Sequence, residues 1–82
     1  MNNFRIETIQ IDGREPYLKI YFEDVVGKGV IHEWLNLQGF IKKVNVNEDE
    51  YCKVSAIVYL LPDSDVNEVK SKLETVLTRF EV

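Results

Sequence analysis

The tightest constraint on this chain is the alternation across residues 51–61. There Cys52, Val54, Ala56, Val58 and Leu60 fall on one side of an extended backbone, and Tyr51, Lys53, Ser55, Ile57 and Tyr59 on the other. A period-two pattern of this length specifies a strand with one apolar face, and an apolar face must be covered by a second layer. Residues 17–23 repeat the pattern, with Leu18, Ile20 and Phe22 opposed to Tyr17, Lys19 and Tyr21. Two strands therefore ask for the same cover.

The cover is helical. From residue 28 to about residue 38 the apolar period changes. At about 100° per residue, Val30, Ile31, Trp34, Leu35 and Leu37 fall on one arc of roughly 160°, with His32, Glu33 and Asn36 opposite. Gly39 is placed to cap the C-terminus. After Pro62, Ser64 or Asp65 can cap a second helix, and Asp65 with Glu68 has capping-box spacing. In that helix Val66, Val69, Leu73, Val76, Leu77 and Phe80 make a stripe of roughly 100°. Two further strands are expected. Residues 4–11 alternate loosely, and residues 40–46 put Val44 and Val46 inward. The connections are Asp12-Gly13-Arg14-Glu15-Pro16, a hairpin signal, and Asn47-Glu48-Asp49-Glu50, a polar turn.

The predicted order is ββαββα, in one domain of 82 residues. Its last five elements match the ferredoxin-like βαββαβ plan without the final strand, and the additional N-terminal strand can take that strand's place by hairpin. The expected fold is an α+β two-layer sandwich, a circularly permuted ferredoxin-like sheet. The 4–11 strand lies beside the 17–23 strand, then the 51–61 strand, then the 40–46 strand. Both helices cover one face, as right-handed crossovers require, and the other face is open. The pieces Leu35-Asn36-Leu37-Gln38-Gly39-Phe40, Val44-Asn45-Val46-Asn47 and Pro62-Asp63-Ser64-Asp65 make the stretch from Tyr17 to Phe80 resemble the heavy-metal-associated domains of the copper-chaperone type. The resemblance implies the ferredoxin-like fold only. That family's Cys-x-x-Cys is missing from the corresponding loop, Asp24-Val25-Val26-Gly27-Lys28-Gly29, so no metal ligand carries over.

Composition narrows function by exclusion. A net charge of −4 argues against strong generic affinity for nucleic acid or anionic membrane, while leaving room for a local basic patch. The single cysteine permits no internal disulfide, which fits a reducing compartment. The start, MNNFRIETIQ, has no apolar leader core, and the longest apolar run, residues 56–61, is too short to span a bilayer. A cytoplasmic protein without membrane, cofactor or metal is expected.

No complete catalytic set is legible. Cys52 and His32 form the only conceivable nucleophile–base pair, and they belong to different elements. Cys52 is expected on the core face as a small filler, and His32 in solvent. Gly27-Lys28-Gly29 precedes a helix, where backbone N–H groups can hold a phosphate, but the full phosphate-loop pattern is absent and the glycines also serve a tight connection. Glu48-Asp49-Glu50 lacks the fixed ligand spacing of a calcium loop.

The open face is the most informative feature. It is expected to carry Tyr17, Lys19, Tyr21, Tyr51, Lys53, Ile57 and Tyr59. Tyrosine offers large contact area at low entropic cost and is favoured where surfaces meet. Three readings follow: cross-strand pairs that only stabilise the sheet, a surface for a protein partner or for self-association, and a base-stacking platform for single-stranded nucleic acid. The leading expectation is a non-catalytic interaction or regulatory module, a homodimer being one form it can take, with a small ligand- or single-stranded-nucleic-acid-binding domain as the alternative.

Overall fold

The computed structural model describes residues 3–80, which form β1 (Phe4–Ile9), β2 (Tyr17–Phe22), α1 (Lys28–Asn36), β3 (Ile41–Glu48), β4 (Val54–Leu60) and α2 (Val66–Arg79). The strands make one antiparallel sheet in the order β1-β2-β4-β3. Its centre is where the alternation was cleanest. Leu18 pairs with Val58 and Ile20 with Ala56, and all four side chains are fully buried. Ile6 on β1 and Val44 and Val46 on β3 extend the same apolar face to the edges. Ile31 and Leu35 of α1 and Val69, Leu73 and Leu77 of α2 join the same core cluster. Both helices therefore lie on one face, and each fully buried Leu or Ile contributes about 1.5–3 kcal/mol of transfer free energy before ordering costs.

Helix α2 starts where its capping chemistry requires. The Asp65 carboxylate accepts from the backbone N–H groups of Asn67 and Glu68, at 2.9 and 3.2 Å, satisfying two donors of the first turn. Helix α1 is shorter and buries less than its sequence arc implied. Ile31 and Leu35 are buried and Trp34 half-buried, but Val30 and Leu37 stand in solvent. A nine-residue helix on the flank of the sheet has room to bury only the strip that faces it. Trp34 packs on Phe80, with ring centroids 5.3 Å apart, and so ties α1 to the end of α2. Its indole Nε1 is buried and has no hydrogen-bond partner among the described residues. Gly39 is not the cap; Leu37 is, in ordinary right-handed geometry, with its N–H donating to the Glu33 carbonyl.

The largest correction lies in the hairpin between β3 and β4. β3 runs on to Glu48, and β4 begins at Val54 rather than at residue 51. The Asp49 carboxylate accepts from the N–H groups of Tyr51 and Lys53, at 2.8 and 2.9 Å, and closes a turn around Cys52. Cys52 itself takes φ of 62° and is exposed, not a core filler. Its side-chain alternation was an artefact of continuing the strand pattern through a turn that an aspartate organises.

Candidate interaction face

The face opposite the helices is built by strand register. Three rows cross all four strands. The first runs Ile9, Tyr17, Tyr59, Lys43; the second Glu7, Lys19, Ile57, Asn45; the third Arg5, Tyr21, Ser55, Asn47. Tyr17, Lys19, Tyr21, Ile57 and Tyr59 therefore sit on the face where their sequence positions put them, and all five are half-buried. Tyr51 does not. It stands in the Asp49 turn, 78% exposed and off the sheet. Lys53 precedes β4 and flanks the third row, lining a recess with Arg5, Tyr21 and Ser55.

The tyrosines play two different parts. Tyr17 and Tyr59 are cross-strand neighbours with ring centroids 5.9 Å apart and planes tilted by 38°. Tyr21 is separate and already occupied: the Arg5 guanidinium lies 4.5 Å and the Lys19 ammonium 4.9 Å from its ring centre. Such cation–π contacts hold long side chains down on a surface they would otherwise leave. Arg5 is also tethered to Glu7 at 3.3 Å. The aromatic centre of the face is thus the Tyr17–Tyr59 pair, and Tyr21 is an organiser of cations.

The charge of the face differs in sign from that of the chain. In the three rows Arg5, Lys19 and Lys43 oppose only Glu7, which makes the face +2. The whole chain is −4, so everything outside the face sums to −6. A pattern irregularity sharpens this separation. β3 has a register shift between Ile41 and Lys43, with Ile41 opposite Leu60 and Lys43 opposite Tyr59. A bulge of this kind inserts one residue and re-aims its neighbours. Here it leaves Ile41 and Val44 buried while both Lys42 and Lys43 are exposed. Beside them a shallow groove of about 400 Å³ runs over the tyrosine pair, edged by Arg14, Lys42 and Lys43, with Glu15 the one carboxylate.

Arg5, Arg14, Lys42, Lys43, Asn45 and Asn47 were not singled out from sequence. The signal for the two lysines was present in Ile41-Lys42-Lys43-Val44, which cannot alternate without a bulge. The other candidates do not assemble into a site. His32 is exposed on α1, and Cys52 lies in the β3–β4 turn. Gly27 caps α1 through its backbone alone. The Asp49 carboxylate is spent on its own turn. Among the described residues no three His, Cys, Asp or Glu side chains converge as metal ligands, and no helix is long and apolar enough to cross a membrane. Comparison with protein-family models, with curated proteins and with solved structures gave no match.

Proposed function

We propose that the protein is a non-catalytic interaction module with a circularly permuted ferredoxin-like fold, working in the cytoplasm through the open face of its sheet, and that the partner it holds there is anionic. The observation that carries this reading is the reversal of charge, +2 on the face against −6 elsewhere. Such a division orients an approaching anion onto one side of the molecule and repels it from the rest. Half-buried tyrosines, and cations held down on Tyr21, lower the entropy lost when the surface is covered. A second copy fits less well. An isologous dimer through this face would set each +2 surface against its own like.

The test is retention on immobilised heparin. Lys19→Glu with Lys43→Glu changes the face from +2 to −2, and should abolish retention. Lys28→Glu with Arg79→Glu makes the same change in net charge on the helices, and should leave it nearly unaltered. Equal loss in both variants would show that the face has no special role. A dimer in sedimentation experiments that Tyr21→Ala with Tyr59→Ala dissolves would replace the anionic partner with a second copy.

A further inference from the structure

We infer that the anion taken by this face is single-stranded nucleic acid, stacked on Tyr17 and Tyr59 with its backbone held by Arg14, Lys42 and Lys43. The inference rests on the reading of the open face as a docking surface and adds the chemistry of the occupant. An acidic protein surface would be satisfied by the cations alone. The two neighbouring rings on the central strands lie where the groove lies, and there they add a flat stacking platform to the charge. The first row places the two rings side by side with Lys43 next to Tyr59 on the edge strand, and Arg14 and Lys42 line the same groove. A chain that alternates flat bases with phosphates presents groups for both the rings and the cations, and stacking on tyrosine accepts any base because each has a π-face.

Three further details agree. The bulge exposes two successive lysines where a strand in register would bury one, doubling the positive charge at that end of the groove. The groove, at about 400 Å³, has the size of sites that take small organic groups. Of the remaining positions of the face on β3 and β4, Asn45, Asn47 and Ser55 are neutral and carry both donors and acceptors, which suit base edges and ribose hydroxyls, and Ile57 is apolar. The acidic remainder of the molecule keeps the interaction modest and confines it to this face.

The experiment is fluorescence anisotropy of the full chain with a labelled oligothymidylate of about a dozen nucleotides, competed by unlabelled oligonucleotide, inorganic polyphosphate or polyglutamate at equal charge. Unlabelled oligonucleotide should compete best. Raising salt from about 50 to about 200 mM should weaken binding roughly 7- to 18-fold, as contact with two or three phosphates requires. Tyr17→Ala with Tyr59→Ala should weaken it by about 10-fold or more, whereas Tyr17→Phe with Tyr59→Phe, which keeps both rings and the fold, should stay within about 2-fold of the parent. Polyphosphate competing as well as oligonucleotide would overturn the stacking, and polyglutamate competing better would make the occupant an acidic protein; in both cases the docking face survives. No oligonucleotide binding by a protein that heparin retains through Lys19 and Lys43 would overturn the nucleic-acid assignment alone. No binding to either probe would overturn both.

Discussion

Replacing Leu73 by alanine tests the central packing claim, that α2 is held to the sheet by one narrow stripe. Leu73 is fully buried at the middle of that stripe, between Val69 and Leu77. The substitution removes three carbons, a transfer loss of roughly 2.4 kcal/mol at about 0.8 kcal/mol each. A residual cavity raises the cost, and leucine-to-alanine changes in cores fall at about 2–5 kcal/mol. We expect about 3 kcal/mol. A chain of this length has a total stability of roughly 4–12 kcal/mol at the usual value per residue, so this one change removes between a quarter and most of it. Urea unfolding followed by the fluorescence of Trp34, whose indole packs on Phe80 at the end of α2, reads the loss directly. With a slope near about 1 kcal/mol per molar, the midpoint should fall by about 3 M or the protein should be partly unfolded in water. Val30→Ala, on the exposed side of α1, is the control and should cost under about 0.5 kcal/mol. A loss below about 1 kcal/mol for Leu73→Ala would mean that α2 is not part of the core, and the two-layer description would fail.

Three other predictions concern the α2 cap and the β3–β4 turn. Asp65→Ala removes the acceptor for Asn67 and Glu68 N–H and should lower stability by about 1 kcal/mol in the same urea assay, while Asp65→Ser should recover most of it. Cys52 should react with a thiol reagent in the native protein as fast as in urea. Cys52→Gly should raise stability by up to about 1 kcal/mol, because glycine adopts φ of 62° without the side-chain penalty. Slow native reactivity would return the thiol to the interior.

Much of this structure was legible in the sequence, and the reason is local. Strand alternation is a property of consecutive residues, so Leu18, Ile20 and Phe22 had to share one face whatever lay above them, and Tyr17, Lys19 and Tyr21 the other. The Asp65 cap and the α2 stripe were likewise written within one helix length. Pattern alone misled where a side chain reached back across a turn. Asp49 ended the strand early, and Tyr51 left the face while Cys52 left the core. It also misled at α1, where the width of the buried strip depends on what the helix lies against, and Val30 and Leu37 met solvent. What only the tertiary structure decided is which residues from different strands stand side by side. Register brought Tyr59 to Tyr17 and Lys43 to Tyr59, and the bulge turned Lys42 outward with it. The separation of +2 from −6 is a sum over residues far apart in the chain, and it exists only once hydrogen bonding between strands has fixed their neighbours.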